Sequence, residues 1–193
     1  MAAHEIADAR VIHEGRRSLV ALTVALPGGK SMVREVLESP PAAAVLPYDE
    51  RRRTVLLVRQ FRAAALRAGG APEPVEAIAG LVDPGETPEA CIRREAMEEA
   101  GLRLGPLEPV GSVWASPGYS TERVHLFLAP YADADRTGEG GGLAEEQEDI
   151  ATCEIEFAAL AAMLAQGALE DMKTLALAQA LALRVPALGG ALR

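Results

Sequence analysis

Hydrophobic and polar positions alternate along the first half of the chain in short extended stretches, and the last third changes to a helical period. Residues 9–12, 19–26 and 30–37 read as strands, with Pro27, Gly28 and Gly29 making a hairpin connection between the last two. Pro40 and Pro41 break this pattern, so residues 1–41 are expected to form a small antiparallel β extension and residues 42–193 the main domain. Residues 42–48 and 54–61 read as a second strand pair. The apolar run Val55-Leu56-Leu57-Val58 predicts a central strand buried on both faces. A loop rich in Ala, Gly and Pro is expected over 63–74, followed by an extended segment, 75–79, that leads into Gly80. Further strands are predicted at 107–115, 123–131 and 152–157, with a turn-rich loop over 116–122. Two Ala/Leu-rich helices follow at 158–166 and 171–184, separated by Gly167. Polar residues such as Glu170, Asp171 and Lys173 make them core-covering rather than membrane-spanning. Strands mixed with a few helices indicate an α/β layered domain.

Residues 80–102 depart from ordinary amphipathic patterning. Thr87 suits an N-cap, Pro88 the first helical position and Gly101 the residue just past the helix. On this helix Glu95 and Glu99 are one turn apart, with Glu98 beside them. Like charges at these spacings cost roughly 0.2–0.5 kcal/mol per pair in an isolated helix. Acidic runs are usually solvated faces, but such faces normally carry Lys partners and this stripe has none. A divalent cation explains it better. Glu95 and Glu99 project to one face, which suits a hard, oxygen-preferring ion such as Mg²⁺ or Mn²⁺.

Composition narrows the partners. The 193 residues are 49% hydrophobic and 24% charged, as in an ordinary globular protein able to bury a core. A formal net charge of −9 argues against binding nucleic acid through its phosphates. A phosphorylated small molecule is still compatible if metal ions supply positive charge locally. The two cysteines, Cys91 and Cys153, do not make a disulfide framework, and the polar N-terminus has no signal-peptide core. No apolar stretch is long enough to cross a bilayer. The expectation is a cytoplasmic protein with no membrane contact.

Gly80, Glu86, Arg94, Glu95, Glu98, Glu99, Gly101 and Leu102 fall at the spacing G-x5-E-x7-R-E-U-x-E-E-x-G-U, with Ala96 at the first apolar place. This is the Nudix box, and the chain resembles the Nudix hydrolases. The segments ending at Arg62, leading into Gly80, at Ser116-Pro-Gly and at 146–150 are similar to the branch acting on nucleoside diphosphate sugars. Pro117 is typical of ADP-ribose pyrophosphatases. The glycine run before the acidic loop and the C-terminal helices look closer to GDP-mannose pyrophosphatases, so both substrates stay open.

The resemblance implies an α/β/α sandwich with a mixed sheet, and a homodimer in which the N-terminal strands help form the partner's site. It implies Glu95, Glu99 and the backbone carbonyl of Ala79 as ligands of Mg²⁺ or Mn²⁺, and Glu148 as a further ligand. Glu146 corresponds to the catalytic base, with Glu145 and Glu148 as neighbouring alternatives. Glu98 joins the catalytic set, either cation-linked through water or structural. Arg62 would pair with a phosphate. Arg34 and Glu35 match positions reaching a nucleotide in the partner subunit. Ser116 and Glu122 match positions on the sugar side, with Tyr119 beside them. Glu86 and Arg94 are expected to pair and fix the loop against the helix. The reaction implied is hydrolysis of the pyrophosphate bond by a water that the cation activates. The rival reading is a Nudix-fold sensor that binds a nucleotide sugar without cleaving it, and the retained carboxylates favour the enzyme.

Overall fold

The computed structural model describes residues 3–143 and 149–189 of the chain. It divides into two compact units. The first comprises residues 1–41 together with 113–123, and the second holds the rest. In the first unit, β1 (Glu5–Glu14), β2 (Ser18–Ala25) and β3 (Ser31–Glu38) form an antiparallel sheet in chain order. This is the small N-terminal sheet expected, with β1 longer than its apolar core suggested. Residues 116–122 are held to the end of β3. The Leu37 N–H donates to the Tyr119 carbonyl at 2.7 Å, and the Thr121 N–H donates to the Leu37 carbonyl at 3.1 Å.

The second unit is built on β4 (Ala42–Asp49), β5 (Thr54–Gln60), β6 (Val75–Glu76), β7 (Ile78–Leu81), β8 (Glu108–Trp114), β9 (Arg123–Pro130) and β10 (Ile150–Glu156). The strand order is β10-β5-β4-β9-β8, with β6 paired to β5 and β7 to β4. β4 runs parallel to β9 and antiparallel to β5 and β7, so the sheet is mixed. All eight residues of β4 are buried, whereas β5 is buried only as far as Val58. The central strand is therefore β4 as much as β5. The acidic cluster and the glycine before it are positioned by what packs on β4.

Helix α2 (Pro88–Ala100) lies against β7 and β4 on one face of the sheet. Thr87 caps it by accepting the Ala90 N–H at 3.2 Å, a contact worth ~1 kcal/mol. Gly101, at φ 58°, ends it. The Leu102 N–H reaches the Ala96 carbonyl and the Gly101 N–H the Met97 carbonyl, the paired bonds of a left-handed helix stop. Cys91, Ile92, Ala96 and Ala100 face the core with Ala43 and Val45 of β4, and the small alanines let the helix approach the sheet closely. On β4 the intervening Ala44 and Leu46 point to the other face. There α4 (Met172–Arg184) packs on β4 and β6, with α3 (Phe157–Gln166) and α5 (Pro186–Gly189) beside it. Helices on both faces of a mixed sheet are the α/β/α arrangement expected.

One element was not foreseen. Residues Ala63–Arg67 form a five-residue helix, α1, inside the stretch read as loop. Its Ala-Ala-Ala-Leu-Arg sequence favours helix, and the glycines and proline after it stop the helix at once. No helix among the described residues is long and apolar enough to cross a membrane.

Candidate active site

The site begins at a missing side chain. A Cβ on Gly80 would stand 1.8 Å from Oε1 of Glu95, so the carboxylate of Glu95 occupies the space a larger residue would fill. β7 and α2 are thereby brought together with a carboxylate between them, and Ala79 is the adjoining strand residue, paired with Ala44 of β4. Glu99, one turn further along α2, is only 3% exposed. Glu98 is half-buried beside it.

Arg94 organises these groups. Its Nε and Nη2 donate to the two oxygens of Glu86 at 3.2 and 3.1 Å, and Nη1 donates to Glu95 at 2.8 Å and to Glu98 at 3.0 Å. Nη2 also reaches the Leu81 carbonyl at 3.3 Å. The hydrogen bond to Glu86, with the charge of Glu95 and the hydrogen bonds to Glu95 and Glu98, raises the guanidinium well above its ordinary value against the opposing effect of burial. Arg94 in turn holds the Glu86 carboxyl below the usual carboxylate range. The Glu86–Arg94 pair expected from the sequence is present. Arg94 does more than that pairing, because it is also the cationic partner the stripe was thought to lack. The Cys91 thiol packs under the same turn, 3.3 Å from the Leu81 carbonyl, and burial followed by the charge of Glu95 pushes it up to about 12. It is not a nucleophile.

The donors suit a hard divalent cation. Glu95, Glu98, Glu99 and the Ala79 carbonyl offer oxygen only, and three box carboxylates, Glu86, Glu95 and Glu98, pair with the Arg94 guanidinium. Among the described residues no three His, Cys, Asp or Glu side chains are grouped so that they could hold a metal ion by themselves. The space that a Cβ on Gly80 would fill holds the Glu95 carboxylate, and the fit rests on that close approach of strand and ligand.

The glycine run before the acidic loop is tethered as far as Gly142. The Gly141 N–H donates to the Glu99 carbonyl and the Gly142 N–H to the Glu98 carbonyl, both at 3.0 Å. The Gly141 carbonyl accepts the Ile150 N–H at 3.1 Å, so both flanks of the acidic segment meet at the last turn of α2. A Cβ on Gly140 would stand 2.3 Å from the Glu99 carbonyl, which explains a glycine there. Glu145, Glu146 and Glu148 lie outside the described residues.

Arg62, expected to hold a phosphate, makes a two-pronged pair with Glu76, at 2.8 Å from Nε and 2.9 Å from Nη2. That bond and the nearby charges of Glu76, Glu99 and Asp171 raise its pKa against the opposing effect of burial. Glu76 is buried and also bonds Lys173 of α4, which reaches Asp171 at 2.9 Å. Burial pushes the Glu76 carboxyl up, but the bonds and charges of Arg62 and Lys173 outweigh it and hold it below the ordinary value. Sequence reading missed Glu76, Lys173, Asp171 and Thr174 as a group. The only local signal was the Asp171 helix start. The other candidates lie in the first unit. Arg34 and Glu35 are exposed neighbours on β3 and project to opposite faces of that strand. Ser116 and Glu122 are half-buried in the loop against β3.

Known proteins resemble this chain over most of its length. A family profile described as the NUDIX domain matches residues 38–177. A GDP-mannose pyrophosphatase of Cronobacter sakazakii (strain ATCC BAA-894) is 45% identical over 153 residues, 78% of each chain. A GDP-mannose pyrophosphatase of Citrobacter koseri (strain ATCC BAA-895 / CDC 4225-83 / SGSC4696) is 41% identical over 75% of this chain and 74% of its own. A crystal structure of an ADP compounds hydrolase superposes with a TM-score of 0.76 at 17% identity, over 98% of this chain and 97% of that one, which supports the fold alone.

Two predictions follow from this geometry. Gly80→Ala should displace the Glu95 carboxylate, a flexible side-chain end, and lower activity by about 10–100-fold with little change in thermal midpoint. Near-native activity would show that this close approach is not needed. Second, a carboxyl depressed in the folded state contributes stability above its unfolded value, near 4.5, which is lost as pH falls through the folded one. Wild type should therefore lose urea stability below about pH 4.5 more steeply than Glu76→Gln, and parallel curves would contradict this assignment.

Proposed function

Because the chain belongs to the NUDIX family and is a hydrolase of it, we propose that it cleaves the pyrophosphate bond of a nucleoside diphosphate sugar in a Mg²⁺- or Mn²⁺-dependent reaction, with GDP-mannose as first substrate. The observation that carries this reading is the Glu95 carboxylate seated against Gly80, with Glu98 and Glu99 one turn on along α2, in a chain 40–45% identical to GDP-mannose pyrophosphatases. The products would be GMP and mannose 1-phosphate.

Glu95, Glu99 and the Ala79 carbonyl would hold the cation, with Glu148 as a further ligand. When bound, it would offset the pyrophosphate charge and make water a better nucleophile. Glu146 takes the proton of the attacking water, and Glu98 supports the face through Arg94. Arg62, already oriented by Glu76, steers a phosphate oxygen. Arg34, Glu35, Ser116 and Glu122 contact the nucleotide and sugar.

The acting form is a homodimer built through residues 1–41. Every residue of β1 is exposed, Ile6 (61%) and Val33 (59%) stand open to solvent, and β1 is an edge strand with no partner on its outer side among the described residues. Such edges are normally covered, and a second copy of the same strands is the simplest cover. Two unpaired cysteines and the negative charge fit a cytoplasmic enzyme without nucleic-acid or membrane partners.

With Mg²⁺, GDP-mannose should turn over faster than ADP-ribose, and Glu99→Gln should lose about 10²-fold or more while keeping its thermal midpoint. No turnover of any nucleotide sugar would sink the hydrolase reading. Faster ADP-ribose cleavage would overturn only the substrate. Sedimentation velocity should give a dimer that Ile6→Lys with Val33→Lys converts to a monomer. A wild-type monomer at micromolar concentration would refute the dimer.

A further inference from the structure

We propose that Asp171 and Thr174, in the first turn of α4, are positioning residues for the cation site: they hold the break between β6 and β7 so that the Ala79 carbonyl meets the α2 carboxylates. This rests on the reading of that site given above.

At this break the chain changes partner. Glu76 is in register with Val58 on β5, and Ile78 with Val45 on β4. Ala77 belongs to neither ladder. Its N–H donates instead to Oγ1 of Thr174 at 2.6 Å, with both residues buried, at 1% and 0% exposure. The Thr174 hydroxyl spends its own proton on Oδ2 of Asp171, and the same oxygen accepts the Thr174 N–H at 2.9 Å. The hydroxyl is therefore oriented, and what it presents to Ala77 is a lone pair.

A helix cap alone does not need this arrangement. Asp171 would cap α4 through the backbone N–H at 174 whatever side chain stood there. The buried hydroxyl serves the strand. A second arm reaches the same break, because Asp171 Oδ1 accepts from Lys173, and Lys173 bonds Glu76, the residue before Ala77. Two positions beyond Ala77 lies Ala79, and then Gly80 with Glu95 against it. A shift at Ala77 passes along one short extended segment into that contact. Losing a group that orients a metal ligand from behind typically costs about 10–100-fold in metal affinity.

The test is Mn²⁺ binding without nucleotide, read by electron paramagnetic resonance of the free ion well below each variant's thermal midpoint. Wild type, Thr174→Val, Thr174→Ser, Asp171→Asn and Glu99→Gln are compared. Folded Thr174→Val should bind Mn²⁺ about tenfold more weakly, whereas Thr174→Ser, which keeps the hydroxyl, should stay within about twofold of wild type. Wild-type affinity in Thr174→Val, or equal weakening in Thr174→Ser, overturns the proposal. If Thr174→Val does not fold, Asp171→Asn decides. It keeps the cap but loses the charge that orients the hydroxyl and Lys173, so weakening supports the proposal and wild-type affinity overturns it. Binding that Glu99→Gln leaves unchanged would instead remove the cation site itself, and this inference with it.

Discussion

Three carboxylates, from one loop and one helix, lie around the guanidinium of Arg94, and the rest of the site depends on that gathering. Helix repulsion among Glu95, Glu98 and Glu99 amounts to only a few tenths of a kcal/mol per pair. Withdrawing a carboxylate from water costs several kcal/mol, and Glu99 is almost wholly withdrawn. Desolvation is therefore the larger penalty, and positive charge must offset it. Arg94 bonds Glu95 and Glu98, and the charge of Glu99 acts on Arg62. Of these carboxylates, it is Glu95 that lies against Gly80.

Backbone, more than side chains, sets the position of that face. Gly80 leaves room for a carboxylate between strand and helix, and Gly140 lets the chain cross close over the last turn of α2. Gly141 then ties the Glu99 carbonyl to the start of β10. These contacts put the two flanks of the acidic segment at the C-terminal end of α2 without long side chains, which would be a looser means of holding it.

Much of the second unit was legible in sequence because its signals are local. Thr87, Pro88 and Gly101 mark the ends of α2 within one or two residues, and the box spacing places its carboxylates. What sequence did not disclose was carried by distant partners. Glu76 and Lys173 are 97 positions apart, as are Ala77 and Thr174, and no periodicity predicts such pairs. Arg62 read as a free phosphate ligand because Glu76, fourteen residues on, looked like an ordinary strand residue. The grouping of residues 113–123 with the N-terminal sheet depends on backbone bonds from Leu37 to Tyr119 and Thr121, which follow no local rule.

The central claim is that the acidic face of α2 and the strand before it form one divalent-cation site. Anomalous diffraction from crystals grown with Mn²⁺ addresses it most directly. The account predicts a peak bounded by Glu95, Glu99 and the Ala79 carbonyl, beside Gly80. A saturated crystal with Mn²⁺ only elsewhere, and with Glu95 and Glu98 still closed on Arg94, would contradict it.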